Sequence, residues 1–120
     1  MPRKPKPSGV VRVAAGLSED NGLYSRVSWG IGHAPYLALV DIAGGSVVDV
    51  IVVLNPLAGM RGGVGVAIAK WLIENNVDVV VVGRIGPHAL EAINAKKIQV
   101  VQPMPGETLD SVLRRIGLLV

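Results

Sequence analysis

Three arginines, Arg26, Arg61 and Arg84, lie in segments that connect predicted elements of secondary structure. Arg61 is followed by two glycines at a predicted helix start, and Arg84 lies between two glycines just before another predicted helix. A guanidinium group pairs with anions, and the free N–H groups at the start of a helix attract the same ligands. One such arginine would ordinarily be solvated surface. Three of them, in segments that we expect to meet, predict a site for an anionic ligand.

Both histidines of the chain, His33 and His88, lie in these segments or directly after them. An imidazole in a loop is usually polar surface, although it can donate an N–H group or ligate a metal. The chain has no cysteine, so it forms no disulfide and offers no thiolate to zinc or to an iron–sulfur cluster. The sequence leaves open whether either histidine ligates a metal.

The stretch SWGIGHAPY, at 28–36, places one of the two tryptophans among small and polar residues. Trp29 could flank a ligand or cap the core from outside, and the two glycines after it would let the backbone approach a ligand closely. Met60 adds a thioether, which is either a soft metal donor or simple packing. Trp71 lies in an apolar helical pattern and is predicted to be core.

Apolar periodicity divides the chain into the alternating elements of an α/β domain. Strands are predicted over 10–15, 36–42, 47–54, 78–83 and 98–101, and helices over 64–75, 86–97 and 108–117. The AGGS turn predicts a hairpin between the second and third strands. One face of the third strand is apolar: Val48, Val50, Val52 and Leu54.

The hairpin and the right-handed crossovers that follow make strands one, three, four and five run in the same direction. The segments after these strands should therefore meet along one edge of the sheet. They are residues 16–33, 55–63, 83–87 and 102–107. Ligands of open α/β sheets bind at this edge, and all three loop arginines fall on it.

The net charge of +3 comes from the amino-terminal end. Arg3, Lys4 and Lys6 lie in the Pro-rich opening MPRKPKP, and the remaining nine basic residues balance the nine acidic ones. We expect residues 1–9 to form a disordered, solvated tail and residues 10–120 to form a single domain. No signal-peptide or membrane-span pattern is present, which favours a cytoplasmic protein. A basic tail can touch nucleic acid or a membrane surface, but such charge runs are usually solvated, so we expect neither as a partner.

The sequence gives little support for nucleotide chemistry or hydrolysis. GGVG, at 62–65, lacks the Lys-Ser/Thr pair of a P-loop. A metal-dependent nuclease needs clustered carboxylates, whereas Asp41 and Asp49 lie within predicted strands and no cluster is evident. No serine stands next to a plausible histidine base. The residues therefore give no support for hydrolysis.

Three stretches resemble the dinitrogenase iron–molybdenum cofactor family, which includes NifX-like and NafY-like carriers and the C-terminal part of NifB. They are SRVSWGIGHAPYLALVDI at 25–42, the long stretch from NPLAGMRGG to HALEAI at 55–93, and KIQVV at 97–101. The resemblance covers almost all of residues 10–117. It implies a ribonuclease-H-like, three-layer α/β/α fold with a five-stranded mixed sheet. It also implies binding of preassembled, anionic metal–sulfur clusters rather than catalysis.

One motif departs from the family pattern. Many members carry His-Phe-Gly where this chain has Gly30, Ile31 and Gly32, so that histidine is absent. His33 follows, at a position where members often have Arg or His. A small cysteine-free chain is similar to members that hold a molybdenum–copper sulfide cluster without covalent ligation. Such a cluster brings its own sulfide ligands, and we favour it over a cluster of the iron–molybdenum cofactor type.

Residue pattern and resemblance together predict a monomeric carrier of a molybdenum-containing metal–sulfur cluster, with proteins that donate or accept the cluster as partners. Arginines would balance its charge, amides beside glycines would donate hydrogen bonds, and apolar side chains would exclude water. The predicted site residues are Arg26, Trp29, Gly30, Ile31, His33, Asn55, Met60, Arg61, Gly62, Gly63, Arg84, Ile85, Gly86 and His88. The alternatives are an interaction or regulatory module that docks a partner through the basic tail and, less favoured, a ribonuclease-H-like hydrolase.

Overall fold

The computed structural model describes residues 5–120, and it contains all eight predicted strands and helices. In chain order they are β1 (Val11–Leu17), β2 (Tyr36–Ala43), β3 (Ser46–Leu54), α1 (Val64–Glu74), β4 (Val79–Val81), α2 (Pro87–Ala95), β5 (Gln99–Val101) and α3 (Leu109–Arg115). A short 3-10 turn, Gly22–Tyr24, interrupts the long segment after β1. The type and order of the five strands and three α-helices were therefore predictable from apolar periodicity, whereas the 3-10 turn was not predicted.

The five strands form one mixed sheet in the order β3-β2-β1-β4-β5. The pairs β1–β2 and β2–β3 are antiparallel, whereas β1–β4 and β4–β5 are parallel. The predicted hairpin is confirmed, and its turn residues Gly44 and Gly45 have φ values of 60° and 80°, which glycine adopts without strain. The carboxyl ends of β1, β3, β4 and β5 consequently lie at the same edge of the sheet, as predicted.

Helices cover both faces of the sheet. One apolar cluster joins α1 and α2 to alternate strand residues such as Ala14, Leu37 and Val80. A second cluster joins α3 to the residues of the opposite face, including Val13 and Val40. Because successive strand side chains point to opposite faces, one apolar strand sequence can supply both clusters.

Strand β3 lies at an edge of the sheet, and its apolar side chains are much less covered than the sequence suggested. Val48 is 57% exposed and Leu54 is 74% exposed. The register with β2 shifts between Asp41 and Ile42, so Val48 has no partner in β2 and the expected alternation is broken there. The predicted apolar face exists from Val50 onward, but no helix packs fully over it.

Only part of the predicted basic tail falls within the described residues. Arg3 and Lys4 lie outside them. The Lys6 ammonium contacts the Asp78 carboxylate at 2.7 Å, and the Pro5 carbonyl accepts a hydrogen bond from Arg12 at 2.8 Å. Disorder of residues 1–9 stays a prediction. Within residues 5–120, no helix has the length and apolarity needed to cross a membrane.

A carboxylate network ties the segment before α3 to that helix. Both carboxylate oxygens of Glu107 accept hydrogen bonds from the Arg115 guanidinium, at 2.8 and 3.1 Å. Its oxygens also accept from the Met104 N–H at 2.9 Å and the Ser111 hydroxyl at 2.8 Å. The Arg115 guanidinium lowers the pKa of Glu107 from 4.5 to about 2. The fold therefore favours the ionised carboxylate.

This pKa shift predicts a pH dependence of stability. Because the folded-state pKa of Glu107 lies below the unfolded value of 4.5, its stabilising effect is complete above that value. The effect is lost as the pH falls from 4.5 towards about 2. We expect the free energy of unfolding of the Glu107→Gln variant to decline less over this range than that of the wild type, measured by urea unfolding at a series of pH values. Identical slopes for the two proteins would contradict the assignment.

Candidate functional site

A cleft of about 560 Å³ opens at the edge where the carboxyl ends of the parallel strands meet. Three parts of the chain form its walls: the loop between β1 and β2, the start of α1, and the loop between β4 and α2. Its lining residues are Trp29, Gly30, Ile31, Gly32, His33, Val64, Gly65, Ile68, Arg84, Ile85, Gly86 and Ala89. The cleft therefore occupies the position expected for a ligand site in an open α/β sheet.

Two helices begin at this cleft, and neither start carries a side-chain cap within the described part of the chain. Glycine precedes both helices: Gly63, with φ of 72°, stands before α1, and Gly86 stands before α2. By contrast, the start of α3 is capped by the Thr108 hydroxyl, which accepts from Ser111 N–H at 3.2 Å. The first turns of α1 and α2 thus keep backbone N–H donors that no side chain satisfies, together with the positive end of each helix dipole.

The described lining of the cleft carries positive charge and no negative charge. Arg84 is the one charged side chain among its described lining residues, and no carboxylate lines it. The backbone of Arg84 pairs with that of Gly30 in an isolated parallel bridge, and its N–H donates to the Trp29 carbonyl at 3.1 Å. An arginine held beside two helix starts favours a negatively charged ligand.

Trp29 forms a partition between this cleft and a second depression. The second depression has a volume of about 440 Å³ and is lined by Ser18, Arg26, Val27, Trp29, Met104, Pro105 and Gly106. The Trp29 side chain is 46% exposed, and its ring lies directly against Gly83. A Cβ atom at Gly83 would come within 2.1 Å of the indole ring, so only glycine permits this placement. Trp29 is therefore a wall of the cleft and not a cap on the core.

Replacing Gly83 with alanine is expected to displace the Trp29 ring while leaving the fold intact. The added methyl group would overlap the indole, and the half-exposed ring is the part that can move. In a Trp71→Phe background, where Trp29 is the one remaining tryptophan, we expect stronger quenching of its fluorescence by acrylamide. A Gly86→Ala variant serves as the control, because a Cβ there meets no atom within 4 Å. Equal quenching in both variants would contradict the proposed contact.

Two side chains join the loop 28–35 to the loop 55–63. Asn55 is 8% exposed, and its amide nitrogen donates to the carbonyls of Gly32 at 3.0 Å and Ala34 at 2.9 Å. Its amide oxygen accepts from the Leu57 N–H at 2.9 Å. The His33 ring nitrogen Nδ1 lies 3.1 Å from the Ala58 carbonyl oxygen. Asn55 was predicted to bind a ligand, but in the structure its amide is occupied in holding the wall of the cleft.

The sequence profile of the dinitrogenase iron–molybdenum cofactor family matches residues 11–117. The chain belongs to this family. No curated protein sequence matches it. A structural likeness extends to the apo form of the orange protein from Desulfovibrio gigas, with a TM-score of 0.74 and 27% identity over 88% of this chain and 85% of that one.

Two further solved structures are similar to this member of the family. PH0822 has a TM-score of 0.71 and 27% identity, covering 88% of this chain and 89% of its own. A NifB-like protein from Thermotoga, solved by NMR and assigned to the DUF35 family, has a TM-score of 0.69 and 25% identity, covering 88% and 86%. Each of the three structures aligns with 88% of this chain.

Seven of the residues predicted for the site of this family member line the cleft together. They are Trp29, Gly30, Ile31, His33, Arg84, Ile85 and Gly86. Five further lining residues were not predicted, namely Gly32, Val64, Gly65, Ile68 and Ala89. Ile68 belongs to the apolar pattern of helix α1, which predicts that its side chain is buried. The sequence does not determine which side of this helix faces the cleft. At Gly30, a Cβ atom would meet open space, so packing does not require a glycine there.

The other predicted residues lie outside the lining of the cleft. Arg26 lines the second depression, where its guanidinium contacts Glu19 at 2.8 Å. Hydrogen bonds from the Arg26 backbone N–H and guanidinium hold the pKa of Glu19 below its usual value. His88 lies in a separate groove of about 290 Å³ between α1 and α2, which Lys70 also lines. Four further predicted residues lie in the segment that leads into α1, namely Met60, Arg61, Gly62 and Gly63.

Metal coordination by several protein side chains has no basis in the described residues. No group of three or more His, Cys, Asp or Glu residues among positions 5–120 could hold a metal ion. What the cleft offers is backbone N–H groups, one guanidinium, one imidazole and an apolar lining. Such a set suits an anion that carries its own ligands.

Proposed function

We propose that this protein binds and carries an anionic, molybdenum-containing metal–sulfur cluster in the cleft, largely without covalent ligation, and that it is not an enzyme. One observation carries the proposal: two helix starts without side-chain caps meet beside Arg84 in a cleft whose described lining contains no carboxylate. Membership of a family named for an iron–molybdenum cofactor supports it. A carrier also needs proteins that donate and accept the cluster.

The physical basis is electrostatic attraction in a partly dry environment. Backbone N–H groups at the starts of α1 and α2 would donate to sulfide, and the Arg84 guanidinium would balance charge. The apolar side chains of Ile31, Val64, Ile68 and Ile85 would exclude water, which strengthens each of these interactions and protects the cluster from hydrolysis. Arg61 would add longer-range attraction from a neighbouring segment, whereas the charge of Arg26 is offset by its ion pair with Glu19.

A molybdenum–copper sulfide cluster is the ligand we favour, with a cluster of the iron–molybdenum cofactor type as the alternative. The absence of cysteine supports a cluster that brings all its sulfur ligands. The similarity to a protein solved in an apo form supports a domain that takes up a removable group. We also infer that the fold is ribonuclease-H-like, which the strand order and the helices on both faces support.

Hydrolysis is disfavoured by the burial and ion pairing of Asp41. Asp41, in β2, is 2% exposed, and its carboxylate is paired with the Arg12 guanidinium at 2.7 Å. A catalytic carboxylate that binds a metal needs access to solvent, which the buried Asp41 carboxylate does not have. Cleavage of nucleic acid in the presence of Mg²⁺ or Mn²⁺ would revive this alternative.

Reconstitution tests the proposed function directly. The purified protein is titrated with tetrathiomolybdate and copper, followed by visible absorbance, gel filtration and elemental analysis. We expect a coloured species that elutes with the protein and contains both metals. If the colour elutes apart from the protein, and protein from its own host contains no molybdenum, copper or iron, the proposal is wrong.

Replacing Arg84 with glutamine is expected to weaken binding of the thiomolybdate species by about tenfold or more, because a charge-assisted hydrogen bond is removed from the cleft. Lys70→Gln is the matched control. It removes the same charge from an exposed side chain in a different groove. Dissociation constants from absorbance titrations at two salt concentrations should separate the two variants. Equal losses of affinity in the two variants would contradict a specific role of Arg84, because the change in net charge alone would then explain both.

A further inference from the structure

His33 is exposed, and a contact with the backbone orients its ring. Its ring nitrogen Nδ1 lies 3.1 Å from the Ala58 carbonyl oxygen. A carbonyl oxygen only accepts hydrogen bonds, so Nδ1 must carry the hydrogen in this contact. The neutral imidazole then has its lone pair on Nε2, which makes no hydrogen bond to the residues that the structure describes.

The Nε2 atom is chemically distinct from every other side-chain group in the lining of the cleft. The indole of Trp29 and the guanidinium of Arg84 are donors only, and the remaining described lining side chains are apolar or absent. His33 thus supplies the one side-chain lone pair in the lining. A histidine that ligates a metal commonly donates its other ring N–H to a backbone carbonyl, which fixes the tautomer and orients the ring.

We propose that Nε2 of His33 ligates a copper ion at the open side of the bound cluster. This inference rests on the proposed function and assigns one coordinate bond within a site that otherwise acts by charge and shape. The Nε2 lone pair forms a bond to Cu(I), which releases a labile ligand such as water, and no electron is transferred. Imidazole nitrogen is a suitable ligand for copper, whereas molybdenum in a thiomolybdate already has four sulfur ligands.

The protonation of the free protein can be measured first. The chain contains two histidines, so the long-range ¹⁵N–¹H spectrum of the imidazoles is simple to assign with the His88→Gln variant. At a pH where the ring is neutral, we expect the hydrogen of His33 on Nδ1 and a free Nε2. A hydrogen on Nε2 would overturn the inference, because the lone pair would then be directed to Ala58.

The metal-bound state is tested with Cu(I), added as its acetonitrile complex, together with tetrathiomolybdate. We expect the Nε2 resonance of His33 to shift strongly and both resonances of His88 to stay in place. His33→Asn keeps an N–H donor where Nδ1 stands but has no imidazole lone pair. It should bind copper at least about tenfold more weakly in the presence of thiomolybdate, as expected for the loss of a ligand. His88→Gln should bind as the wild type does.

The outcomes separate this inference from the proposed function. If a coloured protein complex forms and neither the His33 resonance nor the His33→Asn affinity changes, this inference is wrong and the proposed function stands. If the wild type forms no coloured complex, the proposed function itself fails. Thermal unfolding of His33→Asn shows whether a loss of affinity merely reflects a loss of fold.

Discussion

Replacing Asp41 with alanine is expected to lower the free energy of unfolding by about 3–5 kcal/mol, because it removes the carboxylate that accepts two hydrogen bonds from a buried guanidinium. Arg12 is 0% exposed, and its Nε and Nη2 atoms donate to the two carboxylate oxygens of Asp41 at 2.7 and 2.9 Å. A third donor, Nη1, contacts the Asn75 carbonyl at 2.8 Å. Urea unfolding at neutral pH measures the difference, and a change below about 1 kcal/mol would contradict the expectation.

Two further variants identify the cause of this loss. In the double variant Arg12→Met and Asp41→Leu, both charges are replaced by apolar groups of similar size, so much of the stability should return. Arg26→Gln, which removes the exposed contact with Glu19, should change stability far less. The Arg12–Asp41 pair joins β1 and β2 near the start of β1, away from the cleft. Folded Asp41→Ala protein should therefore still bind the thiomolybdate species.

Replacing Asn55 with aspartate is expected to damage the cleft itself. The substitution keeps the shape of the side chain but exchanges an N–H donor for an oxygen, which then faces the carbonyls of Gly32 and Ala34. One buried and one partly buried carbonyl oxygen lose their donor and meet a negative charge. We expect a loss of about 2–4 kcal/mol in unfolding free energy, at the level known for buried groups left unsatisfied. Because the loop 28–35 loses its anchor, affinity for the thiomolybdate species should also fall by at least about tenfold.

Asn94→Asp is the matched control for this variant. Asn94 is exposed on α2, so the same chemical change there should alter neither stability nor affinity appreciably. Affinity is to be measured at a temperature where both variants are fully folded, as shown by circular dichroism. If folded Asn55→Asp protein binds as tightly as the control, Asn55 does not position the wall of the cleft.

The sequence by itself determined the order and direction of the elements. Apolar periodicity distinguishes buried strands from helices, and crossover handedness then fixes which strands run parallel. The edge of the sheet that carries the cleft followed from these two rules. The glycines before α1 and α2 also indicated open helix starts, since a glycine has no side chain with which to cap them.

Only the tertiary structure decided which residues of that edge share one cleft. Arg26 and Arg84 follow strands of the same direction, yet the Trp29 ring separates them, and that ring stands where it does because Gly83 leaves room for it. His88 and Ala89 are adjacent in α2, but a helix turns by about 100° per residue, so Ala89 lines the cleft and His88 the outer groove. Such placements depend on contacts between segments far apart in sequence, which local pattern does not encode.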